Sequence, residues 1–357
     1  MIYRRPDYYD TFHCLGGACP DTCCRDWSVV PDGEALADYA SAPSPLRERI
    51  ARNLVTDEDG DVCFRLDEAG MCALLTPDGL CAIQRDWGEA HLCAHCAAYP
   101  RFIEEYGSLT ESSLAVSCPE AARLLLEAPR FTLTETDDGQ NEPPFEGIDP
   151  DLLADLEHSR ARVLDLLGKG AGTIWERLRI VLTHTLDLEG FIGMGEYGQI
   201  ASIPFPPPLE PDPSRRQGPT VRLLELLSEL GPLRPDWPRF LKERAAQLSA
   251  LSPANYLQLR ADYEHANPRW ERQLTNLACY FVFRHWHKTV NDGNIYGLYG
   301  RAAFVCAACA VLYHLALFQP GKEAALWTRF SREVEHDEDN LSELVWALSR
   351  WIPADFI

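Results

Sequence analysis

The chain has little positive charge, and what it has is scattered. Lys and Arg number 33 against 54 Asp and Glu, a formal net charge of −21. No Lys/Arg-rich run occurs, and Arg215-Arg216 is an isolated pair. This excludes a sequence-independent nucleic-acid binder, which neutralises phosphates with clustered cations. An acidic surface favours solubility and would attract a basic partner. The first residues, MIYRRPDYYDTF, hold no apolar run that could act as a signal peptide. The expectation is a cytoplasmic protein whose thiols stay reduced. No repeat of useful period is found. Long apolar stretches are also scarce. The one that needs checking, AAFVCAACAVLYHLALF at 302–318, is short for a membrane span, contains His314 and starts beside Arg301. It reads as a buried core helix, so neither a membrane nor a nucleic acid is expected as a partner.

What is present is an ordinary globular composition with an unusual cysteine distribution. Apolar residues make up 46% and charged residues 24% of 357, enough for a normal core without disulfides. Of 13 cysteines, ten lie from Cys14 to Cys118, and none falls between Cys118 and Cys279. Cys306 and Cys309 would share one helix face, and with Cys279 they read as small core residues.

Periodicity divides the chain. The fold class is mainly α: a loop-rich, cysteine-bearing N-terminal module with short β-hairpins at 1–128, then an acidic linker at 129–148. A helical domain follows at 149–357, interrupted by a Pro-rich linker at 203–219. Residues 1 to about 30 read as irregular. Asp32 is a candidate N-cap for a helix over 32–54 that Pro43 and Pro45 interrupt. TDEDGD at 56–61 reads as an acidic turn, and residues 63–83 as short strands joined at Gly70 and Gly79. A helical turn before Pro100, a strand over SLTESSLAVSC and a helix led by Pro119 follow. Gly168-Lys169-Gly170-Ala171-Gly172-Thr173 follows a helical pattern rather than a strand. It reads as a helix end and a new N-cap at Thr173, not as a cofactor loop.

The cysteine pattern carries the chemistry. Cys14, Cys19, Cys23 and Cys24 stand within eleven residues of a glycine-containing loop, so four thiols can converge. A second set, Cys63, Cys72, Cys81, Cys93, Cys96 and Cys118, is spread out and includes the Cys93-x2-Cys96 spacing. Soft thiolates select zinc, copper(I) or iron–sulfur centres. The spacing lacks the two even CxxC pairs of common zinc modules, which favours an iron–sulfur cluster, of 4Fe–4S type, with zinc as the alternative. His13, His91 and His95 sit beside cysteines and are secondary ligand candidates. Cys19-x3-Cys23 begins a CxxxCxxC signature like that of radical S-adenosylmethionine enzymes, but the third position is Asp26.

Pro6-Asp7-Tyr8-Tyr9, Phe12-x-Cys14, Cys19-x-Asp21-x-Cys23-Cys24 and Trp27 together resemble the start of the flagellin lysine-N-methylase family, FliB type. That family lies within a wider group of cysteine-rich zinc- or iron-chelating proteins (YkgJ-like). The resemblance continues through Cys72-Ala73-Leu74-Leu75, Gly79-Leu80-Cys81-Ala82-Ile83, Cys96-Ala97-Ala98-Tyr99-Pro100-Arg101 and Cys118-Pro119-Glu120-Ala121. A fainter echo is Trp270-Glu271-Arg272-Gln273-Leu274-Thr275-Asn276. The resemblance implies methylation of flagellin lysines with S-adenosylmethionine as donor. It also implies eight metal-ligating cysteines: Cys14, Cys19, Cys23, Cys24, Cys72, Cys81, Cys96 and Cys118. Cys63 and Cys93 fall outside that set. Tyr99, Asp21 and Glu120 lie in the matched motifs and are the catalytic candidates. Methyl transfer from a sulfonium to an amine needs alignment in a dry site, not a metal. The cysteine centre is therefore expected to be structural or redox-linked. The alternative function is a non-enzymatic metal-chelating or metal-handling protein.

Overall fold

A computed structural model describes residues 1–139, 146–207, 213–291 and 297–351. In chain order, strand β1 (Ile2–Pro6) is followed by helices α1 (Gly33–Tyr39) and α2 (Leu46–Asn53). The hairpin β2 (Leu54–Thr56) and β3 (Val62–Phe64) comes next, then α3 (Ala82–Asp86) and α4 (Ala94–Ala98). Strands β4 (Arg101–Tyr106) and β5 (Leu109–Leu114), helix α5 (Pro119–Glu127) and strand β6 (Leu133–Asp137) complete the first part. The remainder is helical: α6 (Pro150–Lys169), α7 (Ile174–Met194), α8 (Gln217–Leu227), α9 (Trp237–Ser249), α10 (Pro253–Ala266) and α11 (Trp270–His285). It ends with α12 (Gly297–Phe318), α13 (Glu323–Phe330) and α14 (Glu338–Trp351). The fold is mainly α, as the periodicity implies.

The chain forms two compact units. The cysteine unit comprises residues 11–102 and 114–121; the helical unit comprises 1–10, 103–113 and 122–357.

In the cysteine unit, α1 and α2 are separate helices, because Pro43 and Pro45 fall between them. Asp32 caps α1, accepting the Ala35 N–H at 2.8 Å. Its second carboxylate oxygen accepts the Ala94 N–H at 2.8 Å and so also caps α4. The acidic turn is the β2–β3 connection, with Asp57 Oδ1 accepting the Asp59 and Asp61 amides. Residues 65–81 are not continuous strands. They are held by single bridges, Leu66 with Cys72 and Leu75 with Cys81. The apolar core joins Tyr39, Leu46, Ile50, Phe64, Leu74, Ile83 and Cys93, with Cys72, Cys81 and Cys96 packed against it. Arg49 clamps the Cys72 loop, donating from Nη2 to the carbonyls of Ala73 at 2.8 Å and Leu75 at 2.9 Å.

In the helical unit, two sequence segments read as irregular form sheet. β1 pairs in parallel with β5 and antiparallel with β6, giving the strand order β4-β5-β1-β6. The acidic run that reads as linker contains β6, because its charge complements the arginines of β1. Arg4 donates to Glu135 at 2.9 Å, and the N-terminal amine lies 2.9 Å from Asp138. Residues 140–145 of that segment, and 208–212 of the Pro-rich one, lie outside the described residues. α12 is apolar on every face, packs against α7, α8, α11, α13 and α14, and is buried along almost its whole length. Gly170 ends α6, and Thr173 with Glu176 forms a capping box on α7. The motif at 270–276 does capping work. Glu271 accepts the Ile174 N–H at 2.8 Å, and Asn276 accepts the Phe131 N–H at 2.9 Å while donating to the Ala128 carbonyl at 2.9 Å.

Candidate metal centre

Most of the N-terminal cysteines lie on segments that meet in the cysteine unit, and two places stand out. The first is built around Cys24. The Cys72 N–H donates to the Cys24 carbonyl at 2.9 Å, laying one cysteine segment beside the other. This approach depends on a left-handed residue, Asp26 at φ 72°, whose N–H meets the Gly70 carbonyl at 2.8 Å. A side chain at Gly70 would strike Asp26: its Cβ would lie 2.6 Å from Asp26 Oδ1. Burial raises the Cys72 thiol to about 11, with Cys24 and Cys81 adding to the rise. Burial also raises Cys81, and Cys24 and Cys93 face it. The Cys96 thiol donates to Cys93, which drops to about 6 while Cys96 is pushed up; Cys24 and Cys81 also face Cys96. The Tyr39 side chain completes the set by facing Cys93. Cys24 itself is raised first by its contact with the Cys23 thiol and then by burial.

The second place is the loop Cys14–Cys19 with Cys118. Gly17 presses against the turn at Asp78, where an added Cβ would lie 2.4 Å from the Asp78 carbonyl oxygen. This seats the loop on the 76–80 turn. The Cys14 sulfur accepts the Gly16 N–H at 3.4 Å, and the Cys19 thiol donates to the Asp21 carbonyl at 3.3 Å. Cys118 is buried at the head of α5; burial raises its thiol, and Cys19 and Cys14 are the charges that face it.

A common local device runs through both places. Cys81, Cys93 and Cys118 each stand immediately before a helix, and backbone amides of the first turn favour their anions: Ile83 and Gln84 for Cys81, Cys96 for Cys93, Ala121 and Glu120 for Cys118. Helix N-termini stabilise thiolates, whereas apolar burial penalises a bare anion. A bound cation removes that conflict, so the donor set suits a soft metal centre. A single tetrahedral zinc ion would hold its sulfurs about 3.8 Å apart, from Zn–S bonds of about 2.3 Å. Among the described residues, the one trio of ligand-type side chains with all donor atoms within 4.8 Å is Glu111, Glu157 and His287, in the helical unit. Arg4 and Arg160 already pair with those carboxylates, so guanidinium groups fill the place of a cation there.

The other candidates have assigned positions. Tyr99 donates to or accepts from Ser117 Oγ at 3.1 Å and meets Trp27 edge-on at 5.7 Å; Trp27 Nε1 donates to the Cys23 carbonyl at 2.7 Å. Arg101 lies over the Phe12 ring at 5.3 Å. Tyr99 and Trp27 thus brace the segments of Cys23 and Cys118. Asp21 holds Cys19 through its carbonyl, and Glu120 is buried two residues beyond Cys118. His91 stacks on Trp87 and bonds Asp38 at 2.7 Å, while His13 and His95 are exposed. Cys63 is buried in β3; Cys279, Cys306 and Cys309 are buried in α11 and α12. Cys93, which the family resemblance leaves out, and Tyr39 stand beside Cys96. The CxxC spacing pointed to Cys93, while nothing local marks Tyr39. In the helical unit, a cleft lined by Arg162, Asp165, Lys169, Gly170 and Phe205 borders the glycine-rich segment, with Arg162 over the Phe205 ring at 4.7 Å.

No family model matches the chain, and no solved structure does. The chain is 30% identical over 134 residues to the flagellar biosynthetic protein FliU of Salmonella muenchen, covering 36% of this chain and 79% of that one. It is 28% identical over 136 residues to lysine-N-methylases of Salmonella typhimurium and Salmonella choleraesuis. Those two matches cover 36% of this chain but 33% of each methylase, so the shared part is a third of their length.

Proposed function

Because the chain belongs to the flagellin lysine-N-methylase family, we propose that it is a protein lysine N-methyltransferase acting on flagellin with S-adenosylmethionine as donor. The observation that carries this reading is the relationship to two proteins named lysine-N-methylase. In the reaction the neutral lysine amine attacks the sulfonium methyl. The C–N bond forms as the C–S bond breaks, S-adenosylhomocysteine leaves, and the ammonium proton passes to a base or to water.

The reading includes a cysteine-ligated centre, iron–sulfur rather than zinc. Support comes from the sulfur-only donor set and its helix-start amides, and the irregular cysteine spacing in the sequence favours iron–sulfur. Cys24, Cys72, Cys81 and Cys96 would hold it, with Cys93 beside them. When bound, the centre would cross-link a unit whose own core is small. Tyr99, Asp21 and Glu120 serve in this reading as braces of the sulfur loops.

The test is anaerobic purification, metal and sulfide analysis, and incubation with flagellin and methyl-labelled S-adenosylmethionine. Label is expected on flagellin lysines. Absence of transfer from a protein with its metal intact would remove the methylase reading. The exposure of Cys14 supports one second reading, a metal-handling protein that passes its metal to a partner. Metal retained against every acceptor would count against it.

A further inference from the structure

We infer that the cysteines serve two separate centres rather than one, with Cys24, Cys72, Cys81, Cys93 and Cys96 around the first and Cys14, Cys19 and Cys118 around the second. This rests on the reading that the unit binds metal, and it adds how many centres there are and which thiols each uses.

Three observations divide the thiols. The first set is tied together by backbone: Cys24 to Cys72 by a direct hydrogen bond, and Cys72 to Cys81 through the Leu75–Cys81 bridge and the Leu75 N–H on the Cys72 carbonyl at 2.9 Å. Its sulfurs pack on the apolar core that contains Tyr39, Leu74 and Ile83. The second set meets the same loop from its far side, at the tip of the turn that the Leu75–Cys81 bridge closes. Its loop sits on the Asp78–Gly79 turn through Gly17, and Cys118 enters from the segment that Tyr99 holds through Ser117. Cys19 and Cys14 stand near enough to Cys118 to act on its thiol, as Cys93, Cys24 and Cys81 act on Cys96. Cys23 is the junction: its thiol touches Cys24, while its carbonyl is held by Trp27, the ring that packs on Tyr99.

The two sets also differ in access. Cys14 is exposed, whereas Cys93 is 1% exposed. Cys93 anchors the first set in the core while Cys24, Cys72, Cys81 and Cys96 are half-buried; in the second set Cys118 is buried, Cys19 is half-buried and Cys14 opens to solvent. Three thiols leave a fourth position for Cys23 or an outside ligand. Structural sites are closed and reactive ones keep an open position, so the second is the exchangeable one.

The test compares the full chain with Cys14→Ser/Cys118→Ser and with Cys72→Ser/Cys81→Ser, all purified anaerobically. Iron, zinc and sulfide are counted per chain, and visible and paramagnetic spectra are recorded. Two centres are expected in the parent. Each variant should lose one while keeping the spectrum of the other, and the exposed set should lose its metal faster to a chelator. A single Cys14→Ser, at an exposed position, checks the second set without disturbing packing, and circular dichroism confirms folding. One centre per chain, or loss of all metal from a folded Cys14 variant, would overturn the inference and leave the single-centre reading standing. A metal-free parent would overturn both.

Discussion

Replacing His314 with Gln should remove close to one proton from the acid unfolding of the helical unit. His314 is fully buried in α12. Its Nδ1 lies 2.7 Å from the Ala310 carbonyl and its Nε2 lies 2.8 Å from the Tyr256 hydroxyl. The neutral ring satisfies both: Nδ1–H donates to Ala310, and Tyr256 donates to Nε2. Burial holds the imidazole down to about 3, and Arg216 and Arg260 nearby push the same way. In the unfolded chain the value is about 6.5. Between these values the unfolded state binds the extra proton. Stability is therefore intact above about pH 6.5 and falls as pH drops towards 3. At pH 5 the loss from this one residue is about 1.5 × 1.36, or about 2 kcal/mol. His184, His285, His287 and His336 are lowered to about 4 by burial and act with the same sign, but they are present in both proteins. Urea unfolding followed by far-ultraviolet circular dichroism at pH 7, 6 and 5 reads the difference. The parent should lose about 2 kcal/mol more than His314→Gln between pH 7 and 5. Equal losses in the two proteins would show that His314 does not resist protonation and would refute the argument.

Three further outcomes follow from the same packing. Glu335, fully buried, accepts from Arg284 at 3.2 Å and from Ser331 at 2.6 Å, and Arg284 with His285 holds its carboxyl well below the usual range against the effect of burial. Glu335→Gln strands a buried guanidinium and should cost about 3–5 kcal/mol by calorimetry; a loss under 1 kcal/mol would contradict the pairing. Gly17→Ala forces a Cβ against the Asp78 carbonyl and should displace the Cys14–Cys19 loop, lowering metal content while α-helical dichroism is unchanged; full metal occupancy would speak against that seat. If the proposed metal centre holds the cysteine unit together, a chelator should lower the melting temperature of that unit and speed proteolysis of residues 11–102. An unchanged digestion pattern would count against a structural role.

Local features were legible in the sequence. Asp32 and Thr173 announce helix starts, Pro43 and Pro45 separate α1 from α2, and the apolar stretch at 302–318 becomes the buried α12. Each depends on residues within a few positions of one another. β1 and β6 were not legible. Their hydrogen bonds join residues 2–6 to 133–137, and the acidic run that reads as a linker is a strand because Arg4 and the N-terminal amine lie opposite it. Resemblance to a family named eight cysteines and left out Cys93, which the fold sets against Cys96 and Tyr39.

By itself the sequence determined that this is a mainly helical, acidic chain with a thiol-rich first third, since composition and short-range periodicity carry that information. The tertiary structure alone decided which thiols face one another. The segments of Cys24 and Cys72 meet through a left-handed turn at Asp26, and Cys118 reaches Cys14 from about a hundred positions away. Contacts over such separations depend on how loops close on a shared core, and no local pattern of residues encodes them.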